Sequence, residues 1–303
     1  NDTITVFNPS ALNLRCSESD LVDIATELQY NRSITSLNLS HNPISVEAAT
    51  ALGKTLGDRN RCGVQHLKLN SCQLNAACIQ PLAEALAKNG QIEVLDIGTN
   101  PVRDDGAVHL ARMLESNTVL RTADFGECKI GPSGAAALAG ALSVNRRLGT
   151  LILRNNKLRE SGAVALCRGM QSNHSVVVLD ISGNSINREG GMALSELLKT
   201  NKHLESINFG KNFLSDSIPY IASAMCHRGK TARLLDLSSN RITNETCKTM
   251  AQILEGHKFS IACFSVENNS ICDDGLVAMF HALKGTGLQF LDLSEVNLSP
   301  ISG

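Results

Sequence analysis

The six residues LDIGTN that begin at Leu95 return as LDISGN at Leu179, LDLSSN at Leu235 and LDLSEV at Leu291, at offsets of 84, 56 and 56, all multiples of 28. Placing Asn42, Cys72, Asn100, Cys128, Asn156, Asn184, Asn212, Asn240, Asn269 and Val296 in one column gives successive spacings of 30, six times 28, 29 and 27. A period this regular dictates architecture, because each unit is one supersecondary element too small to bury its own apolar faces.

The pattern inside one period identifies the element. Five and three residues before the column stand apolar residues such as Leu37 and Leu39, Leu67 and Leu69, or Leu95 and Ile97. Apolar residues two apart read as a short strand with one buried face. Ten and fourteen residues past the column the stripe becomes Leu52 and Leu56, Leu82 and Leu86, Leu110 and Leu114, Leu138 and Leu142, Leu194 and Leu198, one face of a helix. Small residues follow the first of these leucines (Ala83, Ala111, Ala139, Cys167, Ser195, Ala251) and let neighbouring helices approach closely. Gly106, Gly134, Gly162, Gly190 and Gly275 mark helix entries. Asn89, Asn117, Asn145, Asn173 and Asn201 share a slot where a left-handed Asn is expected to stop the helix. The fold class is therefore α/β, with parallel strands joined by right-handed helical crossovers. Strands lie about 4.8 Å apart and helices about 8–10 Å, so the stack is expected to curve with the sheet inside.

LNLSHNPIS, LKLNSCQLN and LDISGNSIN resemble the leucine-rich repeat motif L-x-x-L-x-L-x-x-N/C-x-L, and the 28-residue length with a full helix resembles its ribonuclease-inhibitor-like subclass. The resemblance covers about residues 10–298 and implies a solenoid, the horseshoe, with the sheet on its concave face and helices on its convex face. It further implies that the column Asn or Cys satisfies backbone groups in the bend, which makes Cys72 and Cys128 structural, together with Cys78, Cys167, Cys226 and Cys247 on the helix side. Three regions are expected: a capping region over 1–33 with LNL at 12–14 as its strand and Leu21, Ile24 and Leu28 as its helix stripe, nine repeats over 34–287, and the strand of a truncated last repeat over 288–303. The seventh repeat departs by placing Ile218, Pro219 and Tyr220 at its helix start, and the last has Val296 in place of Asn. The first residue is not Met and the chain breaks off inside a repeat, so a domain of something longer is expected, its open end covered in the intact protein.

Positions between the buried strand residues point into the hollow. Forty such positions hold eight acids (Asp96, Asp124, Glu127, Asp180, Asp236, Glu267, Asp292, Glu295) and three bases (Lys68, Arg154, Lys211). Their balance is −5 against −1 for the whole chain, which leaves +4 on the rest. Val94, Ile152, Val178, Leu234 and Phe290 stand among them. The motif's habit of writing L-D-L-S accounts for some aspartates but not for the apolar neighbours. The candidate partner-binding residues are accordingly Asp96, Asp124, Arg154, Val178, Asp180, Leu234, Asp236, Phe290 and Asp292, and the expected partner is a basic-apolar segment of another protein. Phe290 reads equally as a binding anchor or as an interior residue left bare, and Phe213 as a rim anchor or a filler.

Other functions find less support. A near-neutral chain has no field to draw nucleic acid or an anionic membrane, and no apolar run reaches eighteen residues. No nucleophile elbow, phosphate loop, H-E-x-x-H or GxGxxG motif is present, so no catalysis, cofactor or small-molecule substrate is expected. His41 and His66 lie on neighbouring strands but lack a third ligand in the sequence for a metal. Ten cysteines without a CxxC pair, in interior slots, fit a reducing compartment and a cytoplasmic location, and the N-x-S/T triplets follow from the repeat's own spelling. Two further readings share the architecture: a GTPase-activating protein resembling the Ran type, acting from a repeat edge, and a sensor or autoinhibitory repeat domain of a larger receptor or cytoskeletal regulator.

Overall fold

The computed structural model describes residues 5–9, 15–57, 62–228, 232–257 and 259–297. It divides into two compact units, Asn1–Asn156 and Lys157–Gly303. In the first, strands β1 (Val6–Phe7), β2 (Ser36–Asn38), β3 (His66–Lys68), β4 (Val94–Asp96), β5 (Thr122–Asp124) and β6 (Thr150–Ile152) alternate with helices α1 (Glu18–Leu28), α2 (Val46–Gly57), α3 (Ala76–Leu86), α4 (Arg103–Ser116) and α5 (Pro132–Val144). The second holds α6 (Arg159–Met170), β7 (Val178–Asp180), α7 (Arg188–Thr200), β8 (Ser206–Asn208), α8 (Ile218–His227), β9 (Ala232–Asp236), α9 (Asn244–Leu254), β10 (Ile261–Ser265), α10 (Asp273–Leu283) and β11 (Phe290–Asp292). Within each unit every strand pairs in parallel with the next in chain order, so Leu67 sits opposite Leu95 and Leu235 opposite Phe264.

One strand lies where the L-x-L pattern does not point. Val6 and Phe7 pair with Ser36 and Leu37, one coil ahead of the recognised repeats, and α1 follows with Leu21 and Leu28 buried and Ile24 half-buried. The LNL at 12–14 lies outside the described residues. The irregular seventh coil is real: a single 3₁₀ turn, Ser215–Ser217, precedes α8, and Pro219 occupies its first turn.

Asn100 shows what holds one coil on the next. Its Oδ1 accepts from the backbone N–H groups of Cys72 and Leu74, both at 2.9 Å, and its Nδ2 donates to the carbonyls of Leu69 at 2.8 Å and Ile97 at 2.7 Å. One buried amide thus closes the bends of two coils. At the cysteine positions the thiol donates, Cys72 Sγ to Leu39 O at 3.2 Å and Cys128 Sγ to Ile97 O at 3.3 Å, while the backbone N–H groups of Asn42 and Asn100 meet the two sulfurs as weak acceptors. Burial pushes both thiols up to about 12, and Cys167 likewise, so they remain protonated and inert as nucleophiles. All ten cysteines are free; Cys226 is only half-buried and Cys272 is exposed.

The residue before the column is left-handed in every coil: His41, Ser71, Thr99, Glu127, Asn155, Gly183, Lys211, Ser239, Asn268 and Glu295 have φ between 50° and 66°. Only one is glycine. The conformation turns the chain out of the strand while keeping the parallel ladder running, as when Thr99 N donates to Gly126 O at 2.8 Å and Lys211 N to Ser238 O at 2.8 Å. That inter-coil bond offsets a backbone cost of about 1–2 kcal/mol per residue.

The shared helix-end asparagine does not act by turning left-handed. Asn117, Asn145 and Asn201 are extended, with φ of −75°, −66° and −84°. Asn145 Nδ2 instead donates to Leu114 O at 2.7 Å, at the end of the preceding helix, while its Oδ1 accepts from Arg147 N and Leu148 N at 2.9 and 2.8 Å. Where the Asn is missing, after α9 and α10, Glu255 and Lys284 are extended in the same way, Gly256 and Gly285 follow with positive φ, and Thr286 Oγ1 donates to Leu283 O at 2.8 Å. Asn145→Gly is therefore expected to lose about 2 kcal/mol in urea unfolding rather than to be tolerated as a left-handed cap would allow. Equal stability of the Gly variant would refute the side-chain latch.

Candidate functional site

Each three-residue strand except β11 buries its middle residue and leaves the flanking pair partly exposed, so the sheet surface away from the helices is built from those flanks. The aspartates on it are fastened by a local bond. Asp96 Oδ1 accepts from Gly98 N, Asp124 Oδ1 from Gly126 N, Asp180 Oδ1 from Ser182 N and Asp236 Oδ1 from Ser238 N, at 2.8–3.0 Å. Asn38 and Asn208 make the same bond with their amide oxygens, to Ser40 N and Gly210 N. The position favours an acceptor, although Lys68 holds it in β3 and Ile152 in β6, and charge is an addition to it.

That addition differs between the units. In the first, the second oxygen of Asp96 accepts from Asn70 Nδ2 at 3.0 Å, and that of Asp124 lies 3.3 Å from Arg154 Nη1. Arg154, one of the partner-binding residues expected from the sequence, lies against an acid of the neighbouring coil. In the second unit Asp180 and Asp236 meet no other protein group with their second oxygens among the described residues. Asp292 Oδ1 accepts from both the backbone N and the hydroxyl of Ser294, which holds its carboxyl below the usual carboxylate range. Five acids against one base leave −4 on this face of the second unit.

Strand register puts the apolar residues in a row parallel to the acids. Val178 is opposite Ser206, then Leu234, Cys263 and Phe290, while Asp180 is opposite Asn208, then Asp236, Ser265 and Asp292. Val94, Ile152, Val178 and Leu234 prove half-buried rather than fully exposed, because each lies against the flanks of adjoining strands. Phe290 is 59% exposed on the last strand. Phe213 is 42% exposed and packs under the Arg241 guanidinium, 4.3 Å from its ring centre, a pairing with the next coil that sequence reading left undecided.

Elsewhere in the second unit, α6 and the start of α7 border an open recess of about 700 Å³. There Glu160 and Glu189 are hydrogen-bonded, which lowers the Glu160 pKa and raises that of Glu189, and Asn187 Nδ2 donates to Glu160 at 2.6 Å. Among the described residues no three His, Cys, Asp or Glu side chains converge on a metal position, and no helix is long and apolar enough to cross a membrane.

The model of the leucine-rich repeat family matches residues 30–53, 116–139 and 172–195. NACHT, LRR and PYD domains-containing protein 13 of Homo sapiens is 36% identical over 91 residues, 30% of this chain and 9% of that protein. The ribonuclease inhibitor of Sus scrofa is 29% identical over 96 residues, 32% of this chain and 21% of the inhibitor. The matched stretch thus spans about a tenth of the first relatives and a fifth of the inhibitor. Among solved structures, the TLR13–ssRNA13 complex aligns over 91% of this chain and 38% of that one with TM-score 0.57 and 19% identity, a likeness of fold. Its repeating strand–helix coils and these matches together support a leucine-rich repeat protein of the ribonuclease-inhibitor-like type.

Proposed function

We propose that this chain is a protein-interaction repeat domain whose second unit docks a basic-apolar segment of another protein on its sheet face. The observation that carries the reading is the pair of parallel rows there: half-exposed Val178 and Leu234 with exposed Phe290, beside Asp180, Asp236 and Asp292. Burial of the apolar row supplies affinity, and the carboxylates select a basic partner and fix its register. An open sheet face without walls leaves its acids solvated, which supports binding rather than catalysis. The NACHT relatives, many times longer than their matched stretch, favour a second setting for the same chemistry: a sensor repeat domain within a larger receptor, where the docked segment belongs to a neighbouring domain.

Removal of charge tests this without disturbing the fold, because Asn38 and Asn208 show that Asn keeps the local bond. Reversal to Lys would delete that acceptor as well as the charge. The D180N/D236N/D292N variant is expected to unfold at the wild-type urea midpoint yet to lose about tenfold or more of its partner in quantitative affinity capture. D96N/D124N, in the first unit, is the control. Undiminished capture by the triple variant would overturn the reading.

A further inference from the structure

We infer that the segment docked on the second unit's sheet face is an α-helix crossing the strands, with an adjacent basic and apolar residue recurring every seven positions. This rests on the docking reading above and adds to it the shape of the partner.

The face alternates by coil. β7, β9 and β11 each present an apolar residue and an aspartate (Val178 and Asp180, Leu234 and Asp236, Phe290 and Asp292), whereas β8 and β10 between them present small residues. The three aspartate-bearing strands are the copies of LD that recur 56 residues apart, two coils at a time. The first unit has no such alternation: β3 carries His66 and Lys68, and β4 and β5 both carry aspartate.

Strands pair about 4.8 Å apart, so like groups recur at about 9.6 Å along the row. A β-strand laid along it repeats a face every two residues, about 6.6 Å, and falls out of step at once. A polyproline segment repeats every three residues, about 9.3 Å, and an α-helix every seven, about 10.5 Å. Both fit the row within about 1 Å per step, which flexible Lys or Arg stems absorb. Backbone chemistry decides between them. The sheet's own N–H and C=O groups are used in its ladder, so the face offers an extended segment no main-chain partners. A helix satisfies its own. Neighbouring residues of a helix splay by about 100°, so a basic-apolar pair straddles the contact line and reaches the acidic row on one side and the apolar row on the other.

The test uses three synthetic Ala-based peptides of equal length and charge, each bearing three Arg-Leu pairs: seven residues apart, five residues apart, and seven apart with a proline in every interval. Binding is followed by fluorescence anisotropy against the wild type, D180N/D236N/D292N and Leu234→Ser. The seven-residue helical peptide is expected to bind wild type at least about tenfold more tightly than either control, with the advantage lost in both variants. If a control peptide binds wild type as tightly and is still weakened by the Asn variant, the helical partner is refuted while the docking face stands. If no peptide distinguishes wild type from the Asn variant, both fall.

Discussion

Asn100→Ala is expected to lower the free energy of unfolding by about 3–5 kcal/mol, read as a shift in the urea midpoint at unchanged slope. Its amide accepts from two buried N–H groups and donates to two buried carbonyls, and the residue is 1% exposed. Alanine strands three of them in a space that water does not reach, Ile97 O keeping the Cys128 thiol, and each stranded group costs about 1–3 kcal/mol before relaxation. Few single substitutions reach this size without creating a large cavity. The chain supplies its own control. Asn100→Cys restores a donor, as Cys72 and Cys128 do in their coils, but only a weak sulfur acceptor in place of the amide oxygen that serves Cys72 N and Leu74 N, so it should recover about half of the loss. Equal loss in Ala and Cys would show that the amide acts through its volume alone.

That prediction was readable in the letters only as far as the column itself. The period and the strand and helix halves of each coil follow from spacing, whereas the bend-closing role is what the family resemblance implies. What spacing does not show is how one chemistry is delivered. Asn145 occupies a slot that suits a left-handed cap, yet it latches by its side chain with φ at −66°. The left-handed residue before each column is spelled His, Ser, Thr, Glu, Asn, Lys or Gly, so no residue type announces it; the inter-coil hydrogen bond imposes the conformation. β1 escaped notice because Val6–Phe7 is two residues long and lacks a column partner in the motif.

The candidate face was legible as a composition and not as a set of pairings. Asp124 and Arg154 both point onto the sheet surface by period-two reasoning, and both were placed in one partner-binding set. They lie one coil apart and neutralise each other, which the register could have shown, since a strand separation of about 4.8 Å lets an arginine reach an acid on the neighbouring coil. Asp180 and Asp236 have Asn208 between them instead of a cation, and their charge stays available. The same six letters therefore do different work in the two units, and only the neighbours say which.

The helix side carries the second large effect. One residue past the first stripe leucine, successive coils hold Gly53, Ala83, Ala111, Ala139, Cys167, Ser195, Ser223 and Ala251, and then Phe280. The slot is small because the next helix presses on it: a Cβ at Gly53 would stand 2.8 Å from the Pro81 carbonyl oxygen of α3. Gly53→Ala gains about 1 kcal/mol of helix propensity, but the obstacle is backbone and cannot swing aside, so the clash prevails and a net loss of about 1–2 kcal/mol is expected. Gly53→Leu must part α2 from α3 and should lose about 3–4 kcal/mol. Phe280 fills the equivalent place on α10 at 53% exposure. Phe280→Ala is therefore expected to change stability by less than about 1 kcal/mol, the ordinary range for an exposed side chain. The comparison isolates the neighbour as the cause, since the residue slot is the same and a following helix packs on it at Gly53 but not at Phe280 among the described residues. A stable Gly53→Leu protein, or a Phe280→Ala variant as damaged as Gly53→Leu, would show that the small-residue slot is not set by inter-helix approach.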